Sequence, residues 1–82
     1  MQRTLIYYKP EHIDVAMKLR ENYIGHQKEV DIISEENEDD IEYAREKQYD
    51  EAVFIEEPNT VIIHEMKSGY TNRCPISDVY YQ

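Results

Sequence analysis

The stretch that most constrains the fold runs from Glu51 to Met66, where two short apolar runs flank a turn sequence. The runs are Ala52-Val53-Phe54-Ile55 and Val61-Ile62-Ile63, and Glu56-Glu57-Pro58-Asn59 separates them. Proline presets φ for the first corner of a turn and asparagine tolerates the second, so this pattern predicts a β-hairpin. Successive side chains of a strand point to opposite faces, so both faces of the hairpin are apolar. The chain must therefore place helices over both faces.

The segment before the hairpin supplies a first strand and a first helix. Thr4 to Tyr8 is a continuous apolar run, which is typical of a strand covered on both faces. A helix is predicted from Pro10 to Tyr23, because proline suits a first helical turn and apolar residues then recur at helical spacing. The predicted stripe on this helix consists of Ile13, Ala16, Met17 and Arg20, with Leu19 and Tyr23 on the adjoining strip. Gly25 is expected to end the helix in the left-handed conformation.

A second strand and a second helix follow. Lys28 to Ile33 alternates charged and apolar residues before ending apolar, which suits an edge strand with one wetter face. The acidic run from Ser34 to Asp40 indicates a solvated loop with a helix N-terminus capped by Ser34 or Asn37. A calcium loop is the alternative, but the required glycine and bidentate glutamate are missing. The helix is expected from Glu38 to Gln48.

The predicted helix from Glu38 to Gln48 carries Ile41 and Ala44 inward with Tyr43 beside them. Its apolar stripe is narrow, so packing on the sheet must stabilise it.

The end of the chain adds one more strand. Lys67-Ser68-Gly69 is a turn signal, Tyr70 to Ile76 is the predicted fifth strand, and Ser77-Asp78 is expected to cap a last helical turn. With right-handed crossovers, the predicted fold is α/β: a three-layer α/β/α domain with a mixed five-stranded sheet of order 2-1-3-4-5. Strands one to three are parallel, and the hairpin is antiparallel.

The length and composition of the chain agree with a single domain over residues 1–82. At 82 residues a chain can bury one modest core. A single cysteine forms no internal disulfide, and no apolar run is long enough for a membrane span or a signal peptide, so a cytoplasmic location is expected. The net charge of −9 opposes binding to phosphate backbones. This argument would fail if Arg20, Arg45, Lys47 and Arg73 formed one cationic face.

The residues do not assemble into a recognisable catalytic, cofactor or metal site. Two isolated glycines provide no phosphate-binding loop at the first strand-helix junction. The three histidines and the cysteine lack the spacing of a zinc site; they are His12, His26, His64 and Cys74. Cys74 precedes a proline and has no activating partner in the sequence. We therefore expect a chain that is not an enzyme, and no partner-binding surface can be assigned from the residues.

Several segments resemble the C-terminal anticodon-binding domain of class II aminoacyl-tRNA synthetases, in the histidyl-tRNA synthetase branch. The matching segments are Ala16-Met17-Lys18-Leu19-Arg20, Glu29-Val30-Asp31-Ile32, Asp40 to Lys47 leading into Glu51 to Ile55, and Thr60-Val61-Ile62-Ile63 to Ser68-Gly69. The resemblance spans nearly the whole chain and implies the anticodon-binding-domain fold.

Three departures from that family shape the functional expectation. Gln48 stands where the family usually has a helix-ending glycine, the connection from Leu19-Arg20 to Gly25 is longer than usual, and an acidic run fills residues 34–40. The combination, with the opening Leu5-Ile6-Tyr7-Tyr8, resembles the regulatory subunit of ATP phosphoribosyltransferase, a synthetase paralogue of histidine biosynthesis that confers feedback inhibition by histidine. In that family the histidine site belongs to a longer synthetase-like core, so the resemblance implies an accessory domain excised from a longer chain.

Three functional hypotheses follow from the resemblance and the charge. The first is a non-catalytic accessory domain of the regulatory subunit, whose partners are the other domains of its parent and, through them, the catalytic subunit. The second is a tRNA anticodon-binding domain of a histidyl-tRNA synthetase. The third is a stand-alone acidic protein-interaction adaptor that shares only the fold, because fold alone does not determine function.

Overall fold

The computed structural model describes residues 2–34 and 40–81, with no side-chain description for residues 40 and 41. Strands and helices alternate at first and are followed by a run of strands. The elements are β1 (Arg3–Tyr8), α1 (Ile13–Gly25), β2 (Glu29–Ser34), α2 (Asp40–Glu46), β3 (Glu51–Glu57), β4 (Thr60–Glu65) and β5 (Thr71–Pro75). One short 3-10 turn precedes α1 at Pro10–His12, and another follows β5 at Ile76–Asp78.

The five strands form one mixed sheet in the order β2-β1-β3-β4-β5. β1 pairs in parallel with β2 and β3, and β3-β4 and β4-β5 are antiparallel. The predicted hairpin is confirmed, with Pro58 and Asn59 at the turn and Val53 opposite Ile63. The predicted order and strand directions are also confirmed.

Each face of the sheet has its own apolar core. Alternate residues of β3 point into the two cores, since Val53 and Ile55 belong to one core and Ala52 to the other. On the first face, α1 packs over β1 and β2, and the segment after β5 packs over the rest through Ile76. On the second face, Ala44 of α2 and the following Tyr49 pack on the sheet. The expectation that both faces are covered is correct.

The core-facing side of α1 differs from the predicted stripe. Ala16, Leu19 and Tyr23 are buried, whereas Ile13 and Met17 are exposed. Both sets have helical spacing, and the sheet contacts the strip that the sequence assigned to the margin. The helix itself runs from Ile13 to Gly25 after a 3-10 turn, rather than from Pro10 to Tyr23.

The helix ends also differ from expectation. Gly25 is the last helical residue, and the left-handed position is Gln27, with φ of 63°. The N–H of Lys28 donates to the carbonyl of Tyr23 at 3.0 Å, which closes the helix around that position. Gln48 has φ of 64° and ends α2 in the same way, so a glutamine occupies a position that glycine usually fills.

The second helix is shorter than the predicted span of residues 38–48. It runs from Asp40 to Glu46, and Tyr43 is 39% exposed beside the buried Ala44. Ser34, one of the two predicted caps, is the last residue of β2. The other predicted cap, Asn37, and most of the acidic run lie outside the described residues, as does the inward side chain expected at Ile41.

Candidate functional site

The residues with potential for metal or nucleophilic chemistry are dispersed. His64 on β4 and Cys74 on β5 point to opposite faces, because His64 pairs with Ala52 and Cys74 packs against the first core. Within residues 2–34 and 40–81, no three histidine, cysteine or acidic side chains are arranged to hold a metal ion. Burial raises the pKa of the Cys74 thiol, and Asp78 raises it further, so the reactive thiolate is disfavoured.

Arg20 lies on a different face of the sheet from Arg45 and Arg73, since Arg73 pairs with Ile62, which lies opposite Phe54 of the second core. Arg20 lies on α1 and Arg45 on α2, and these helices cover opposite faces of the sheet. Arg45 Nη1 lies 2.6 Å from Glu42 Oε1. Arg73 Nη2 of β5 lies 3.0 Å from Glu56 Oε2. Such pairs lower the positive potential that each arginine presents to a phosphate.

A carboxyl group lies where three strands meet at one end of the sheet. Glu51 of β3 pairs with Thr4 of β1 and Glu65 of β4, and the Thr4 hydroxyl donates to Glu51 Oε1 at 3.0 Å. Burial raises the pKa of Glu51, the hydrogen bond from Thr4 and the charge of Lys28 lower it, and Glu65 and Asp50 raise it again. The net shift is upward, so the charged carboxylate is disfavoured.

Tyr49 connects the end of α2 to β2. Its hydroxyl donates to Asp31 Oδ2 at 2.5 Å, and the Arg3 guanidinium lies 4.4 Å from its ring centroid. Burial raises the pKa of Tyr49 to about 12, with the bond to Asp31 as the next cause. The phenol therefore remains a donor at neutral pH and fixes the Asp31 side chain on the second face of the sheet.

β2 is the terminal strand of the sheet, and within residues 2–34 and 40–81 no other strand pairs with its outer edge. The N–H of Glu29 donates to Gln2 O at 3.2 Å, toward β1. Both backbone polar groups of a strand residue point to one side, and the side alternates along the strand. The backbone groups of Val30, Ile32 and Ser34 therefore point away from the sheet. An open strand edge of this kind can pair with another chain.

An apolar stripe on α1 flanks that edge. Ile13, Met17 and Ile24 are 46%, 38% and 46% exposed, respectively. At about 100° per residue, these positions lie within about 40° of one another on the helix. The opposite flank of α1 contacts the C-terminal segment, since the Asn22 side chain donates to Tyr81 O at 2.9 Å and accepts from Tyr81 N–H at 2.7 Å. The exposed stripe therefore faces outward on the β2 side of the helix.

The stripe was missed as a surface feature because the sequence predicted Ile13 and Met17 to be core residues. The apolar arc of α1 extends from these residues through Ala16 to Leu19 and Tyr23. This arc is wider than the roughly 100° that a helix needs to pack on a core. Its width was the available signal that part of it stays exposed.

Comparison with solved structures finds similarity to the crystal structure of histidyl-tRNA synthetase from Nostoc sp. PCC 7120. The TM-score is 0.79 and the sequence identity is 13%, over 95% of this chain and 20% of that chain. This chain therefore spans about a fifth of the length of its neighbour. At this identity the likeness shows a shared fold.

Comparisons at the sequence level add no relative. No protein-family model matches the chain, and no curated protein matches it. Among the described residues, no helix is both long enough and apolar enough to cross a membrane. The comparisons thus establish that this five-stranded α/β fold is shared with about a fifth of a histidyl-tRNA synthetase chain.

Proposed function

We propose that this chain is a non-catalytic accessory domain that acts through contacts with other proteins. The observation that carries the proposal is the charge arrangement on a synthetase-like fold. The net charge is −9, Arg20 and Arg45 lie on opposite faces, and Arg45 and Arg73 are each paired with a glutamate. A surface of this kind repels a phosphate backbone and attracts basic protein segments.

The specific parent that we propose is the regulatory subunit of ATP phosphoribosyltransferase in histidine biosynthesis. The proposal is supported by the sequence resemblance described above. The structural neighbour shows only that this fold occurs as part of a longer chain. Its partners are then the other domains of the parent chain and, through them, the catalytic subunit. The domain contributes no catalytic residue in this role.

A tRNA anticodon-binding domain is the second candidate, and the histidyl-tRNA synthetase neighbour favours it. An electrophoretic mobility shift with a histidine tRNA transcript distinguishes the two. We expect no salt-sensitive shift for the protein-binding domain, because the net charge is −9 and Arg45 and Arg73 are each paired with a glutamate. Clear binding at low salt that falls steeply as salt rises would contradict the first proposal and support the second.

A matched variant makes the RNA test sharper. Glu42→Gln together with Glu56→Gln removes the acids paired with Arg45 and Arg73. Neither glutamate belongs to an apolar core, although Glu56 is only 35% exposed. If the pairing is what suppresses RNA binding, this variant shifts the transcript more than the unsubstituted domain does. Equal behaviour of the two proteins would mean that the pairing is irrelevant to RNA affinity.

The parent assignment needs a separate experiment. Affinity capture from an extract of the source cells, followed by mass spectrometry, identifies proteins that bind the chain. Recovery of a short-form catalytic subunit of ATP phosphoribosyltransferase supports the regulatory parent. Recovery of an unrelated protein in its place supports a stand-alone adaptor.

A further inference from the structure

The β2 edge offers backbone groups in the arrangement that a sheet uses to add a strand. The N–H and C=O groups of Val30, Ile32 and Ser34 point outward, as deduced from the inward bond of Glu29 to Gln2. A peptide that pairs with this edge gains main-chain hydrogen bonds whatever its sequence. Selectivity must come from the side chains on the two faces beside the edge.

The first face beside this edge is apolar. Val30 and Ile32 point to the same face as α1, where they contact the first core. The exposed stripe formed by Ile13, Met17 and Ile24 overhangs that side. A strand added to β2 would place every second side chain against Ile32 and beneath this stripe, so those positions favour apolar residues.

The second face beside the edge presents two acids, Glu29 and Asp31, and then Ile33, which packs on the second core. Glu29 and Asp31 are exposed and point to this face, where Asp31 accepts the Tyr49 hydroxyl. Arg3 Nε is 3.6 Å from Glu29 Oε1, near the outer limit of an ion pair, and the Glu29 side chain is 53% exposed. The intervening positions of an added strand therefore favour lysine or arginine.

We infer that β2 is a docking edge for an extended segment of a partner protein that alternates apolar and basic residues. The inference rests on the proposed function as a protein-binding domain, and it specifies the surface and the chemistry of the partner. Apolar side chains of the segment cover the α1 stripe, and its cations lie beside Glu29 and Asp31. Charge complementarity selects this occupant over a second copy, since two β2 strands would bring four carboxylates to one edge.

A short capped peptide that alternates lysine and valine is the probe, and titration into isotopically labelled protein followed by NMR is the measurement. We expect amide shifts at residues 29–34 and side-chain shifts at Ile13, Met17 and Ile24. A peptide that alternates glutamate and valine keeps the strand propensity and reverses the charge. It should bind at least about tenfold more weakly, because the edge is acidic.

Two variants test the edge itself. Ile32→Pro removes an outward N–H without removing a bond to β1, and Ile32→Ala makes a similar loss of packing while keeping that N–H. We expect Ile32→Pro to weaken the peptide at least about tenfold relative to Ile32→Ala.

If Ile32→Pro does not fold, the charge variants test the same surface. Glu29→Lys should weaken the basic peptide, whereas Glu57→Lys, the same change at an exposed residue of β3, should weaken it much less.

Three outcomes would overturn the inference. One is peptide binding that is equal for Ile32→Pro and Ile32→Ala, and another is a set of shifts confined to β4 and β5. The third is concentration-dependent dimerisation in analytical ultracentrifugation that Ile32→Pro abolishes, which would assign the edge to a second copy. A catalytic subunit captured equally by the Ile32→Pro and Ile32→Ala proteins would leave the proposed function standing and reject only this edge.

Discussion

The contribution of the Glu51 side chain to the stability of the fold depends on pH. Glu51 lies between β1 and β4, accepts a hydrogen bond from Thr4, and has a pKa raised chiefly by burial. A carboxyl group whose pKa is higher in the folded state stabilises the fold most when it is protonated. That contribution is complete below the ordinary value of 4.5 and is lost as the pH rises through the raised pKa.

The substitution Glu51→Gln tests this dependence. Glutamine keeps an oxygen that can accept from the Thr4 hydroxyl and carries no charge at any pH. We expect the variant and the unsubstituted protein to have similar free energies of unfolding below the ordinary pKa of 4.5. As the pH rises above this value, the variant should become more stable than the unsubstituted protein. Urea denaturation over this pH range measures the difference.

The control for Glu51→Gln is Glu57→Gln, at an exposed position of the same strand. The stability of Glu57→Gln relative to the unsubstituted protein should vary less with pH than that of Glu51→Gln, because the Glu57 side chain is not buried. A Glu51→Gln protein that loses stability relative to the unsubstituted protein as the pH rises would contradict burial as the main cause of the raised pKa of Glu51.

At the scale of elements, the two apolar strips of α1 make opposite contributions. Leu19 is fully buried against the sheet, whereas Met17 is 38% exposed on the outward stripe. We expect Leu19→Ala to lower the free energy of unfolding by about 2–5 kcal/mol, through lost burial and a residual cavity. Met17→Ala should lower it by about 0.5 kcal/mol or less, as is usual at surface positions.

Urea unfolding followed by circular dichroism compares the two alanine variants. The helix propensity of the new residue is the same in both, so the difference reports burial. Equal losses would mean that Met17 packs as the sequence pattern suggested, and that the outward stripe does not exist in solution.

The strands were more predictable from sequence than the helix faces. Both apolar runs of the hairpin, the Pro58-Asn59 turn and the acidic alternation of β2 have few alternative interpretations, so the strands could be located from sequence. The sheet order followed from right-handed crossovers that place one helix over each face. The face of α1 was not predictable in this way. Its apolar arc includes both Met17 and Leu19, and only the position of β2 relative to the helix decides which of them is buried.

The helix ends illustrate a second limit of sequence reasoning. Gly25 is the obvious residue for a left-handed position, yet Gln27 and Gln48 occupy the two left-handed positions that follow the helices. Hydrogen bonds of the following residues to the last turns compensate for the steric cost at glutamine. The position of a glycine in the sequence therefore does not show where hydrogen bonds allow another residue to adopt the left-handed conformation.

At the scale of the whole molecule, the excess of acids should make stability depend on salt. Carboxylates repel one another in the compact state when the net charge is −9. Raising NaCl from about 10 mM to about 150 mM shortens the Debye length from about 30 Å to about 8 Å, so this repulsion is screened. We therefore expect the melting temperature at neutral pH to rise over this range.

The same salt series near the isoelectric point of 4.6 is the control. The net charge is then close to zero, and added salt should change the melting temperature little. A melting temperature that falls with salt at neutral pH would mean that attractive ion pairs, such as Arg45 with Glu42, outweigh the repulsion.

The candidate docking edge was only partly predictable. The sequence identified β2 as an edge strand with one wetter face, which is where Glu29 and Asp31 lie. It did not identify the apolar half of the surface, because that half is contributed by α1 and depends on how the helix is rotated. A surface built from two elements requires knowledge of their packing.

The ion pairs of Arg45 and Arg73 have a consequence for encounter rates. Each pair is nearly neutral when viewed from several ångströms away, so the field that extends into solvent comes from the remaining carboxylates. A cationic molecule diffusing nearby is accelerated toward the protein before any contact forms, and an anionic one is slowed. The arginines thus help to determine which molecules collide with this domain.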